Sequence, residues 1–184
     1  MTETTPKSRL PRTGTLVVIA IVLLVGCGMM MVWVPYHRNQ TAIAEIARLG
    51  GRTESEFAPP LWIPDVLASE IMPLFERVYH IDLTETHITD EDLGNFQGLT
   101  NLKILWLDNT QVGDVGLQHV GGLTDCSQLS LHNTPVGDDG MEHLRGLKNL
   151  HVLWLHHTHV TETGFKRLQA ALPECQIHWR PSTP

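Results

Sequence analysis

The sequence is poor in charge. Asp, Glu, Lys and Arg make up 18% of its 184 residues, against roughly 25% in typical globular domains. That shortage excludes a disordered acidic chain as the main theme. Basic residues are scarcer still: 13 Lys and Arg stand against 20 Asp and Glu, for a net charge of −7 with His neutral. No run of Lys or Arg is present to neutralise phosphates, which excludes a nucleic-acid module. Three Cys are too few for a disulfide scaffold in a chain this long. His is the one excess, with 11 residues.

What is present is sharply segregated. Residues 15–34, TLVVIAIVLLVGCGMMMVWV, carry no charge. At helical rise they reach about 30 Å, the thickness of a bilayer's hydrocarbon core. Lys7, Arg9 and Arg12 precede the run, only Arg38 follows it closely, and Trp33 and Tyr36 sit at interfacial positions. The positive-inside rule predicts a cytoplasmic tail over 1–14, a transmembrane helix over 15–34 and an extracytoplasmic remainder. A second reading stays open. Leu24-Val25-Gly26-Cys27 has the form of a lipobox, which would place a lipid on Cys27 and remove the preceding peptide. Against it, Met29, Met30, Met31, Val32, Trp33 and Val34 prolong the apolar run. Either way the same ectodomain is anchored, and a tail over 1–14 is too short to fold as a signalling domain.

Over residues 35–63 the pattern predicts a juxtamembrane amphipathic helix and a linker. Ala42, Ile43, Ile46 and Leu49 recur at helical spacing, and Gly50-Gly51 supplies the stop. Residues 52–63, with Pro59 and Pro60, read as an extended tether. Residues 64–77 read as an N-terminal cap, because Met72, Phe75 and Val78 keep the register of Phe96, Leu99 and Leu102.

From residue 78 to 179 the sequence repeats with a period of 24. Leu83, Leu107, Leu131 and Leu155 form one column; Thr86, Thr110, Thr134 and Thr158 another; Asp90, Asp114, Asp138 and Glu162 a third. One residue is inserted near Leu172, after which Cys175-Gln176-Ile177-His178-Trp179 starts a last strand, followed by a tail over 180–184. The unit LxxLxLxxTxVxDxGLxxLxxLxx resembles the leucine-rich repeat, with Thr where many such repeats carry Asn. The layout is similar to bacterial leucine-rich-repeat proteins with a short membrane segment, an amphipathic stretch ending in Gly-Gly and a few repeats. That resemblance implies an α/β solenoid, a short right-handed horseshoe of about four full repeats plus caps, and it implies no biochemical activity.

The alternation within each unit turns Leu102, Leu105 and Leu107 inward and Ile104 and Trp106 outward. An acid after Gly or Thr, as in Gly113-Asp114 and Thr161-Glu162, suits the positive end of a convex helix. No repeat can bury its apolar edge alone, so the copies must stack. Cys126 and Cys175 fall in one inward column two strands apart, about 9.6 Å, which predicts free buried thiols.

The outward columns carry the candidate site. One runs Asp82, Trp106, Ser130, Trp154, Trp179; the next Thr84, Asp108, His132, His156; beside it Glu85, Asn109, Asn133, His157; and on the other side His80, Ile104, Gln128, Val152, Ile177. Exposed Trp is favoured where partners bind. The expected ligand-binding residues are therefore Trp106, Trp154, Trp179, Asp108, His132, His156 and His157, with a slot at Ser130. Zinc on Asp108, His132 and His156, a Ser130-His132-Asp108 hydrolase arrangement and pH sensing by the imidazoles are lesser readings of the same residues. No Gly-rich nucleophile elbow or oxyanion hole accompanies Ser130. The expectation is a non-enzymatic binding module, without cofactor or metal, for a protein, peptide or glycan outside the membrane. The competing expectation is an envelope assembly protein whose solenoid self-associates. Five strands span only about 24 Å, so the concave face falls short of the roughly 800 Å² per side of a standard complex.

Overall fold

A strand of three residues is too short to stand alone, and here each is held by its copies. The computed structural model describes residues 37–57 and 76–181. These belong to one compact unit, Tyr36–Pro184. Expectations on the apolar run 15–34, on Cys27, and on Met72 and Phe75 lie outside the described residues. Among the described residues no helix is long and apolar enough to cross a membrane.

The elements in order are helix α1 over 37–48, β1 (Arg52–Phe57), β2 (Glu76–Asp82), a 3-10 helix η1 (Asp92–Phe96), β3 (Ile104–Trp106), α2 (Asp114–Val120), β4 (Gln128–Ser130), α3 (Asp138–Leu144), β5 (Val152–Trp154), α4 (Glu162–Ala171) and β6 (Gln176–His178). The sheet order is β1-β2-β3-β4-β5-β6. From β2 to β6 every pairing is parallel with partners 24 residues apart, such as Leu105 with Leu129 and Leu129 with Leu153. One parallel strand and one convex helical turn per 24 residues is a leucine-rich-repeat-like α/β solenoid.

The inward columns form one continuous core. Leu102, Leu105, Leu107, Leu129, Leu131, Leu153 and Leu155 are all buried. The Thr column is buried too, at Thr110, Thr134 and Thr158. Each of its hydroxyls donates to the carbonyl three residues back: Thr110 to Leu107 and Thr134 to Leu131 at 2.7 Å, Thr158 to Leu155 at 2.9 Å. A buried hydroxyl is tolerated because its proton is satisfied within its own turn.

The first half of the expected linker is part of the fold. β1 pairs antiparallel with β2, Arg52 facing Asp82 and Glu54 facing His80, with a register shift between Glu54 and Ser55. Ala42 and Ile46 of α1 are buried in the same core as Val78, Ile81 and Leu83. The amphipathic face is legible in the spacing, but its burial partner is not: α1 and β1 cap the stack rather than tether it. An exposed parallel edge is thereby covered.

The convex acids do more than face their own helix. Asp90 Oδ1 accepts the Gly113 N–H at 2.7 Å, Asp114 Oδ1 that of Gly137 at 2.6 Å, and Asp138 Oδ1 that of Thr161 at 2.8 Å. Each carboxylate therefore satisfies a backbone donor at the helix start of the following repeat. The contact demands space, and a Cβ on Gly116, Gly140 or Gly164 would collide with the carboxylate of Asp90, Asp114 or Asp138 respectively. The D-x-G pattern is thus one contact written across two repeats.

Candidate functional site

On the outer face of the short strands, pairing alone sets the neighbours. Asp82 is opposite Trp106, Trp106 opposite Ser130, Ser130 opposite Trp154 and Trp154 opposite His178. The last pairing corrects the expectation from spacing, which puts Trp179 beside Trp154 and Ile177 beside Val152. Helix α4 is ten residues long where α2 and α3 have seven. β6 starts directly after Cys175, whereas Ser127 separates Cys126 from β4, and this one-residue difference restores the period of 24 at β6. A slip of one residue exchanges the two faces of a strand. His178 therefore joins the concave face, while Ile177 and Trp179 pack against the core. Trp179 stacks on Phe165 with ring centroids 5.0 Å apart and donates its Nε1 proton to the Val160 carbonyl at 3.0 Å. Counting 24 from Leu153 rather than 25 from Leu150 would have found this.

Trp106, Asp108, Ser130, His132, Trp154 and His156 line an open cleft of about 320 Å³. Its floor is organised by Asp108. Oδ1 of this carboxylate accepts the Ser130 hydroxyl and the His132 backbone N–H at 2.9 Å. Ser130 itself is buried, so the slot expected between the two indoles is real but shallow. Trp106 is 36% exposed, and its ring meets His80 in a T-shaped contact with centroids 4.8 Å apart. The Trp154 ring stacks nearly parallel to His178 at 5.9 Å.

The imidazoles gather at the other end of the cleft. His132 lies 6.3 Å from His156 and 5.1 Å from His157, and His156 lies 6.4 Å from His178, centroid to centroid. Burial depresses the pKa of His156, with smaller contributions from Arg180, His132, His178 and His157. Its Nδ1 is buried without a hydrogen-bond partner. Among the described residues no group of three or more His, Cys, Asp or Glu is arranged to hold a metal ion. A hydrolase relay needs an imidazole between hydroxyl and carboxylate. Here Ser130 bonds Asp108 directly, and none intervenes.

His157 closes a column whose spacing alone does not explain it. Glu85, Asn109, Asn133 and His157 all have left-handed backbones, with φ between 51° and 60°. Asn tolerates that conformation, and Asn133 Nδ2 donates to Asn109 Oδ1 at 2.9 Å. This column turns the chain out of each strand, and its side chains rim the cleft rather than line it. Cys126 and Cys175 are free and buried as expected. Burial pushes their thiols up to about 12 and about 11, so neither is a nucleophile.

No family model matches the sequence, and no curated protein does. Among solved structures the chain is similar to a leucine-rich-repeat protein of Leptospira interrogans, at 23% identity over 55% of this chain and 25% of that one, TM-score 0.43. It is also similar to two internalins of Listeria monocytogenes. One is 27% identical over 46% of this chain and 34% of that one, TM-score 0.40; the other is 24% identical over 57% and 35%, TM-score 0.39. The chain thus spans between a quarter and about a third of the length of these structures. The assignment of a leucine-rich-repeat-like solenoid rests on its own 24-residue strand register.

Proposed function

We propose that this chain is a membrane-anchored, non-enzymatic binding module that takes a peptide segment on its concave face. The observation that carries the reading is the cleft between Trp106 and Trp154, with Ser130 as its small floor residue. Indoles left open on a rigid sheet bury apolar area with little loss of side-chain entropy when a ligand arrives. The cleft is at the lower end of the range for small-ligand sites. It suits one side chain or a short extended segment rather than a folded domain.

The run 15–34 supports an anchor with the repeats outside the cytoplasm, by an uncleaved helix or by lipid on Cys27. An anchor raises effective concentration, which suits a small, weak site. Selection of displayed random peptides against the full-length chain tests the binding reading. Enriched peptides that bind the parent chain and lose binding to a Trp106→Ala/Trp154→Ala variant of unchanged melting temperature are expected. Peptides that bind both chains equally overturn the cleft as the site. Self-association that grows with concentration and survives the double substitution would favour the assembly reading instead.

A further inference from the structure

Trp106 stands between two carboxylates. Asp82 is its paired neighbour on β2, one strand spacing or about 4.8 Å away. Asp108 follows it two residues later and lines the same cleft. In each carboxylate one oxygen is fixed by the protein: Asp82 Oδ1 accepts the Thr84 N–H at 3.0 Å, and Asp108 Oδ1 accepts the His132 N–H at 2.9 Å together with the Ser130 hydroxyl. The second oxygen of each accepts no hydrogen bond among the described residues, and neither side chain is fully buried. Among the described residues neither carboxylate forms an ion pair with Lys or Arg, although Arg52 of β1 lies opposite Asp82. The ion pairs there are Arg48 with Glu45 and Asp92, His80 with Glu54, Arg145 with Glu142, and Lys166 with Glu162. Arg180, the basic group that acts on His156, belongs to the far end of the face with the imidazoles.

We propose that Asp82, Trp106 and Asp108 form a subsite for the ammonium group of a lysine side chain on the bound peptide. The inference rests on the binding reading above and names what the Trp106 end of the cleft, with Asp82 beside it on β2, would take. A cation over an indole face is attracted by the ring's quadrupole, and two fixed carboxylates add charge complementarity without needing to be ordered first. The single open oxygen on each favours ammonium over guanidinium. The fork of arginine binds most strongly through both oxygens of one carboxylate, and Asp108 Oδ1 already serves two donors. Lysine is a compact point charge on a long apolar stem, and that stem suits the channel between Trp106 and Trp154.

The test uses the full-length chain in an uncharged detergent and follows indole fluorescence. The probes are an N-acetylated, C-amidated Gly-Lys-Gly peptide and the same peptides with norleucine or arginine in place of lysine. The lysine peptide is expected to bind at least about tenfold more tightly than the norleucine peptide, and more tightly than arginine. Asp82→Asn/Asp108→Asn keeps an acceptor oxygen for each backbone donor and is expected to abolish that preference. Asp139→Asn, at a convex position away from the cleft, alters net charge and should leave the preference intact. Equal binding of lysine and norleucine peptides, both lost in Trp106→Ala/Trp154→Ala, overturns the cation subsite and leaves the cleft reading standing. Absence of any saturable signal from the lysine peptide up to about 10 mM overturns the subsite. Binding indifferent to the Trp substitutions overturns the cleft reading itself.

Discussion

The two ends of the repeat stack are closed by different means. At the first repeat a helix and an antiparallel strand cover the core: Ile46 of α1 is buried, and β1 pairs along the whole of β2. At the last repeat no added element does this among the described residues. The repeat closes over itself, with a longer α4 and the Phe165–Trp179 stack as its lid. The carboxylate–glycine ladder records the same difference. Its Gly column reads Asp92, Gly116, Gly140, Gly164. Among the described residues no earlier repeat carboxylate reaches Asp92, which instead accepts the Thr89 N–H at 2.9 Å and pairs with Arg48 of α1. The Asp column runs on to Glu162, which serves no later helix among the described residues and pairs with Lys166 of its own helix at 2.6 Å. Interior repeats are therefore constrained by two neighbours and end repeats by one, and the residue types differ accordingly.

The comparison is broken most severely at the N-terminal closure. Ile46→Ala should lower unfolding free energy by about 2–4 kcal/mol, since it empties a fully buried site, as measured by denaturant unfolding. An unaffected midpoint would mean that α1 is not part of the cooperative unit. A chain shortened to begin at residue 64 would lose α1 and β1 together, and its thermal melt should show no cooperative transition.

Inside the ladder, Gly140→Ala should cost about 1–3 kcal/mol through overpacking, because the new methyl meets Leu117 and the Asp114 backbone as well as its carboxylate. Asp92→Ala, at the same column on the end repeat, should cost only about 0.5–2 kcal/mol through the lost hydrogen bonds from the Thr89 N–H and hydroxyl. Equal effects in denaturant unfolding would erase the distinction between interior and end.

At the C-terminal closure, Trp179→Phe should cost about 1 kcal/mol by removing the Nε1 donor to Val160 while retaining a ring against Phe165. A loss as large as that of Ile46→Ala would show the two ends to be equally dependent on their lids.

The smallest effect concerns acidity. The His156 pKa is depressed below its ordinary value of 6.5 by burial first and by surrounding positive charge second. The unfolded chain takes this proton at higher pH than the folded one. Stability is therefore complete above about pH 6.5 and falls as pH drops from there to the lowered folded value. Melting curves of the parent and His156→Gln between about pH 7.5 and 5 check this: the variant should lose less stability on acidification. Identical acid limbs would assign the sensitivity to other groups.

Much of this architecture is legible from residue spacing, and particular residues show where legibility ends. The inward columns from Leu83 to Leu155, the free buried thiols and the pairing of Trp106 with Ser130 and Trp154 follow from a period of 24 and the alternation of a strand. The face of α1 is readable too. Its partner is not, because the core shared by Ile46 and Leu83 joins distant residues that carry no common pattern. In the site, Asp108, His132 and His156 fall where expected, whereas Trp179 gives way to His178. That misplacement arises from counting through a helix of altered length.

By itself, the sequence determined which side chains face inward and how often the strand recurs, because both are local periodicities of a repeated unit. Tertiary structure alone decided two things: that α1 and β1 close the first edge, and that each convex carboxylate reaches the next repeat's glycine-lined helix start. Those depend on backbone hydrogen bonds and close approaches between segments far apart in the chain. Such contacts are selected by the fit of whole elements rather than by any residue's own preference.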